Sequence, residues 1–347
     1  MWRTVGQYEA LALIEHSFKG SSLAHAYLFV GPPHVGKTTL ALDLAQAVNC
    51  QGDEPPCGEC NSCRRIINGK HVDIITISLD SGRDSKETKP RVEISIDDIR
   101  ELQHSASLPP YEGECKVFII DGAEYLSVEA ANCLLKVLEE PPPRVIMLLL
   151  TADEARLLPT VVSRCQRMEL KPIPSEDVER VLVESRGVDR ERARLLAQLS
   201  EGCLGWALMA SVDDRYLQKR GKRLAELLPL LDAGWEERFA YAAQFEKDRE
   251  SVEEIIKRWL VWWRDLMLTK CGCKQAITNV DCALEIENWA MALSLLEIKD
   301  FIDSLQKSLS QISRNVNLRL VFEVLMLDMP RREGRQGRET LSMPVTL

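Results

Sequence analysis

Residues 27–48, YLFVGPPHVGKTTLALDLAQAV, decide how the first half of the chain is read. The stretch begins as an apolar strand, breaks at Gly31-Pro32-Pro33, and resumes after Gly36 as a helix. Gly31-x-x-x-x-Gly36-Lys37-Thr38 therefore lies where a strand turns into a helix, the setting in which this pattern cradles phosphates. Glycines let backbone N–H groups approach an anion, and the helix N-terminus adds positive potential. In that reading Gly31, Gly36, Lys37, Thr38 and Thr39 hold a nucleotide, ATP or ADP, with Lys37 on the phosphates and Thr38 on Mg²⁺. The alternative is an ordinary strand-to-helix turn that contains Gly-Lys by chance.

Working outward, the strand AYLFV (26–30) is joined by VDIITI (72–77), KVFIID (116–121), VIMLLL (145–150) and RMEL (167–170). These runs are apolar almost throughout, as parallel strands covered on both faces are. Helical patterns lie between them. In SIDDIRELQHSA, Ser95 and Asp98 have capping-box spacing, and Ile99, Leu102 and Ala106 share one face. The expectation is an α/β domain over residues 1–170, a parallel sheet with crossover helices. The polar segment DSGRDSKETKP (80–90) reads as a mobile loop inside it.

After KPIPSED (171–177) no strand pattern returns. SEDVERVLVES and RERARLLAQLS form a small helical unit, 171–212, and residues 213–330 read as wholly helical. There Val252, Ile255, Ile256, Trp259, Trp263 and Leu266 form one stripe, so the tryptophans Trp259, Trp262 and Trp263 read as helix packing. The last segment, 331–347, is polar and Gly-containing and reads as a disordered tail.

The formal net charge is −9, which weighs against a protein whose main task is gripping the phosphate backbone of DNA. The longest apolar run, VIMLLL, is far short of the ~20 residues that span a bilayer. No basic start followed by an apolar core marks a signal peptide. The chain is therefore expected in the cytoplasm, where clustered cysteines favour metal over disulfide.

Four of the eleven cysteines cluster: Cys50, Cys57, Cys60 and Cys63, within CQGDEPPCGECNSC. That spacing suits one tetrahedral Zn²⁺, and four thiolates leave no open position for catalysis. A redox Cys-x-x-Cys pair or coincidental buried cysteines are the other readings. Cys115, Cys133, Cys165, Cys203, Cys271, Cys273 and Cys282 lack such clustering, and the five histidines show no metal spacing. Asp121 ends a strand beside the cradle and suits Mg²⁺. The next position, where a hydrolytic carboxylate is usual, is Gly122, and Glu124 is expected to cap or pack the following turn. Arg164, in a turn before the last strand, reads on its own as a solvated surface charge.

Together HAYLFVGPPHVGKTT, the cysteine cluster, HVDI, IDDIREL, KVFIIDGAEYLSVEAANCLLKVLEEPP and LPTVVSRCQ resemble, in order, the bacterial clamp-loader AAA+ subunits. The likeness covers most of residues 2–210 and extends, more weakly, to SRNVNLRLVFEVLML (313–327) in the helical region. It implies a RecA-like AAA+ domain with an embedded zinc module (about 50–63), a helical lid (171–212) and a helical collar (213–330) that joins subunits into a ring. It also implies that Arg164, in Ser163-Arg164-Cys165, is an arginine finger reaching a neighbour's γ-phosphate. Two types exist in this family, a gamma/tau motor and a delta-prime stator. The motor's lid carries Gly-x-x-Arg-x-Ala, but here Gly205 stands in the arginine's place within EGCLGWALMA. With Gly122 and Gly205 both departing from the motor, the resemblance is to the delta-prime type: little hydrolysis in cis, an arginine given in trans. Its implied partners are gamma/tau and delta subunits, with the sliding clamp and primer-template DNA reached through the complex. A gamma/tau-type motor and a zinc-module DNA-binding protein are the alternatives.

Overall fold

The computed structural model describes residues 2–20, 22–79, 91–245, 249–313 and 316–331. The segment read as a mobile loop (80–90) and the tail beyond Arg331 lie outside the described residues, as do residues 314 and 315. The chain divides into two compact units, Met1–Ser211 and Val212–Leu347.

Unit 1 is built on five parallel strands, β1 (Ala26–Val30), β2 (Ile74–Ile77), β3 (Lys116–Asp121), β4 (Val145–Thr151) and β5 (Gln166–Glu169). All five sit where apolar runs predict them. Their order across the sheet is β2-β3-β4-β1-β5, so β4 lies between β1 and β3. Apolar side chains cover both faces, which is why the strands lack alternation. Leu28, Phe118, Ile120 and Leu149 point into one core with the helices Ile96–Ser107 and Val128–Glu139. Tyr27, Phe29, Ile119 and Leu148 point into the other with Tyr8–Lys19 and Lys37–Val48.

Local signals set the helix boundaries. Ser95 caps Ile96–Ser107 in a full capping box with Asp98, as its spacing predicts. Ser127 caps Val128–Glu139 by accepting from Ala130 N–H. After β5 the chain continues into three helices, Ser175–Arg186, Arg190–Leu199 and Leu204–Val212. Gly187 ends the first in the left-handed conformation, and Asp189 caps the second.

Unit 2 is helical throughout its described residues. The predicted stripe is buried in full, and Trp262 joins Trp259 and Trp263 in the same core. Trp263 packs against Phe301 with ring centroids 4.5 Å apart, and Trp259 stacks on Tyr241 at 6.3 Å. Arg238 is fully buried, and its guanidinium donates to the carbonyls of Leu230, Leu231, Met326, Met329 and Pro330. It thereby ties together the C-terminal ends of Arg215–Asp232 and Leu318–Asp328, where helices run out of intrahelical donors for their last carbonyls. Burial, with Arg331 adding to it, pushes the Arg238 pKa down to about 10, so it stays charged near neutrality.

Replacing Arg238 with Ala takes the guanidinium from five carbonyls at once, of which that of Leu230 also accepts from Ala233 N–H. The expected loss is about 3 kcal/mol or more in the stability of unit 2. Urea unfolding followed by tryptophan fluorescence reads it, and a loss under about 1 kcal/mol would mean water replaces the guanidinium cheaply.

Candidate functional site

The loop between β1 and the helix Lys37–Val48 has the conformation its glycines permit. Gly36 adopts φ 112°, a region closed to side chains with a Cβ, and its carbonyl starts the helix. A Cβ on Gly31 would lie 2.4 Å from the Leu170 carbonyl oxygen, so only glycine lets the chain pass the end of β5. Lys37 is buried, and its Nζ donates back to the carbonyls of Gly31 (2.7 Å) and Pro32 (3.0 Å). Burial lowers the Lys37 pKa, against the pull of the Glu124 and Asp121 carboxylates and Cys203. Thr38 and Thr39 occupy the first turn of the helix. The Thr38 hydroxyl donates to Asp121 Oδ2 at 3.1 Å, so the two groups expected beside Mg²⁺ meet in space.

Across β4 the end of β3 turns sharply. Gly122 is left-handed, with φ 84°, and a Cβ there would lie 2.8 Å from the Tyr125 ring. The position beside Asp121 is thus shaped for glycine, and a carboxylate could not be grafted onto it without strain. Glu124, expected to cap or pack the following turn, lies within the turn Ala123–Tyr125 and reaches out of it. Its Oε1 accepts from Ala152 N–H at 3.0 Å, just past the end of β4, and its Oε2 is buried without a hydrogen-bond partner. The parallel pairing of β3 with β4 brings Ala152 within reach of Glu124.

The helix Leu204–Val212 starts against the phosphate loop. Gly205 N–H donates to the His34 carbonyl at 2.9 Å, and His34 itself has φ 62°. A Cβ on Gly205 would lie 2.7 Å from that carbonyl oxygen. Position 205 therefore has no room for a larger residue while this contact holds. The missing arginine is a matter of packing as well as of charge.

Cys50, Cys57, Cys60 and Cys63 converge, each pair of sulfurs lying within 4.8 Å. Cys57 and Cys63 Sγ are 3.9 Å apart, close to the ~3.8 Å edge of a tetrahedron with Zn–S bonds of ~2.3 Å. Backbone N–H groups of Gly52, Cys57, Cys60 and Cys63 point at three of the sulfurs at 3.3–3.4 Å, a pattern that favours thiolates. The N–H groups of Cys60 and Glu59 lower the Cys57 pKa to about 6, whereas burial pushes Cys63 up to about 12. Four sulfurs this close can all carry charge only around a cation, and the donor set fits a closed metal site. The cluster is fastened to the sheet domain. Gln46, in the phosphate-loop helix, donates to the Cys63 carbonyl, and Asn49 bridges both backbone groups of Cys115.

Arg164 is held by Thr160 and Glu139. It follows the short helix Pro159–Val162 and is about one-third exposed. Its Nη1 donates to the Thr160 carbonyl (2.9 Å), and its Nη2 pairs with Glu139 Oε1 (2.6 Å). It is therefore not a free surface charge.

Reading the sequence alone passes over two residues here. Thr151 is the polar residue ending a strand otherwise wholly apolar, and it pairs in register with Val30 between β1 and β3. That break in the run is the signal. Glu139 left a fainter one, an acidic residue at the negative end of a helix.

Two family models match the chain: "DNA polymerase III, delta subunit" over residues 6–174, and "DNA polymerase III, delta subunit, C terminal" over residues 215–330. The chain is similar to DNA polymerase III subunit delta' of Bacillus subtilis, 28% identical over 333 residues, covering 94% of this chain and 97% of that one. It is 38% identical over 211 residues to the tau subunit of Escherichia coli, covering 59% of this chain but only 31% of tau. Among solved structures, a gamma subunit-related protein of Thermotoga maritima is 18% identical with a TM-score of 0.42, covering 90% of this chain and 97% of that one. No described helix is long and apolar enough to cross a membrane.

The sulfur geometry predicts about one Zn²⁺ per chain in protein purified without chelators. Cys60→Ser should reduce that content severely and destabilise residues 50–67 first, since metal binding there contributes to local folding. Elemental analysis and hydrogen exchange measure the two effects. Less than about a tenth of an equivalent in the wild type would rule out a metal centre.

Proposed function

Because the chain belongs to the DNA polymerase III delta-subunit family, we propose that it is the delta-prime-type stator of a sliding-clamp loader. In this reading it binds ATP or ADP with Mg²⁺ through Gly31, Gly36, Lys37, Thr38, Thr39 and Asp121, and turns it over slowly or not at all. Arg164 completes the active site of a neighbouring gamma/tau-type motor subunit. Gamma/tau and delta subunits are the direct partners, and the clamp and primer-template DNA are reached through the assembled ring. Zinc, held by Cys50, Cys57, Cys60 and Cys63, is structural.

The observation that carries this reading is the division of the ATPase parts. The cradle is complete, and Thr38 meets Asp121, yet the adjoining position is a left-handed glycine. A bound Mg²⁺ would neutralise phosphate charge. The chain's own residues then hold the phosphates but offer no carboxylate at position 122 to orient water. Coverage supports the same side: the Bacillus delta' is matched over nearly its full length, the Escherichia tau over less than a third. A ring partner also has a surface to use. On Leu318–Asp328 the residues Leu320, Val324 and Leu327 form an exposed apolar stripe, and Leu284 and Met291 form another on Ala283–Ala292.

A motor of the gamma/tau type is the second reading, favoured by the intact cradle and by the higher identity to tau. Turnover separates the two. The stator reading expects nucleotide binding that Lys37→Ala abolishes, with turnover by the isolated chain far below ~1 s⁻¹. Wild-type turnover at that rate or above would favour the motor.

The finger is tested in the assembled complex. Arg164→Ala should leave fold, zinc, nucleotide binding and ring assembly unchanged, while lowering the clamp- and DNA-stimulated ATPase. Arginine fingers in trans contribute about 10³–10⁵ in rate at the site they serve, and the loss seen here is smaller because other motor sites remain. Arg164→Lys should rescue little, since an ammonium lacks the planar fork. Equal ATPase and clamp loading with either chain would remove Arg164 from the mechanism.

A further inference from the structure

We propose that Glu139 is a positioning residue for Arg164, setting the guanidinium in place before a neighbour's phosphate arrives. The inference rests on the arginine-finger reading above and deepens it. Glu139 is the last residue of Val128–Glu139, where the helix dipole disfavours negative charge. A carboxylate held there gains from a cation, and Arg164 provides one at 2.6 Å.

Both partners stand on rigid mounts. Val128–Glu139 is anchored by Ala130, Ala131, Leu134, Val137 and Leu138, all buried. Pro141 follows, so Glu140 leaves helical geometry and the helix stops at a fixed point. The turn Pro159–Val162 is held by Val161, fully buried in the same core as Leu134 and Leu138. The distance between the two backbones is therefore set by packing, and the side chains only have to close it.

The guanidinium is held at two points and left open elsewhere. Nη1 is on the Thr160 carbonyl and Nη2 on Glu139, while about a third of the side chain remains exposed. An arginine carries five N–H donors in a planar fork, so two contacts fix the plane and leave donors free for an incoming anion. A free arginine would have to give up rotamer freedom each time it docked on a phosphate. Glu139 removes that cost in advance, and the benefit falls on the step in which charge develops.

The test is a double-mutant cycle in the complex reconstituted with gamma/tau-type subunits, clamp and primed DNA, reading kcat and KM for ATP separately. Glu139→Ala should lower kcat about twofold or more with KM unchanged. Glu139→Asp, which restores the charge on a shorter arm, should recover part of the loss. The double variant Glu139→Ala/Arg164→Ala should match Arg164→Ala alone, since Glu139 acts only through that arginine. Three results would overturn the proposal: wild-type kcat for Glu139→Ala beside a clear loss for Arg164→Ala, losses that multiply in the double variant, or a raised kcat for Glu139→Ala, which would make the pair a restraint. If Arg164→Ala itself changes nothing, the finger reading falls and this proposal falls with it.

Discussion

Backbone meets backbone at the phosphate loop, and much of unit 1 is arranged around that contact. Gly31 passes the Leu170 carbonyl, and Gly205 presses on the carbonyl of His34, each where a Cβ would be 2.4–2.7 Å from an oxygen. The end of β5, the loop after β1 and the start of Leu204–Val212 can converge only because two side chains are absent. Close packing of this kind is unforgiving, since interiors have little slack to absorb an added methyl group. The same convergence buries Lys37 and brings Glu124, Asp121 and Cys203 near enough to influence it.

That arrangement separates holding a nucleotide from cleaving it. Holding needs backbone donors, a lysine and an oxygen pair for the metal, and these are supplied by a local sequence motif together with one strand end. Cleaving needs a base aimed at water, and the geometry after Asp121 excludes a side chain there without strain. Glu124, two residues on, is tied by one oxygen to the backbone of Ala152 and belongs to the joint between β3 and β4. Its carboxylate, near enough to Lys37 to act on that charge, is thus tied to the joint through one oxygen only.

What the sequence reveals depends on how far apart the interacting residues lie. The strands, the cradle and the capping box at Ser95 are encoded by neighbours within a few positions, so periodicity and spacing expose them. The four cysteines fall within fourteen residues, and their convergence is legible for the same reason. Arg164 and Glu139 stand 25 positions apart on different elements, and only packing brings them together. The partner of Glu124 was hidden for that reason too, Ala152 lying 28 residues away just past the end of β4. Arg238 reaches carbonyls as distant as Pro330, 92 residues on, and nothing in the text around it hints at so long a reach.

Arg238 also changes how unit 2 responds to its surroundings. A pair of opposite surface charges weakens as dissolved ions gather around each member, and at physiological ionic strength that screening acts over about 8 Å. Here the compensation comes from five carbonyl dipoles in a space that ions do not enter. Its acceptors do not titrate, and the guanidinium keeps its proton until about pH 10. The ends of Arg215–Asp232 and Leu318–Asp328 are thus joined by a fastening indifferent to buffer. Concentrated salt that dissolves ion pairs such as Lys299 with Asp303 leaves this one in place.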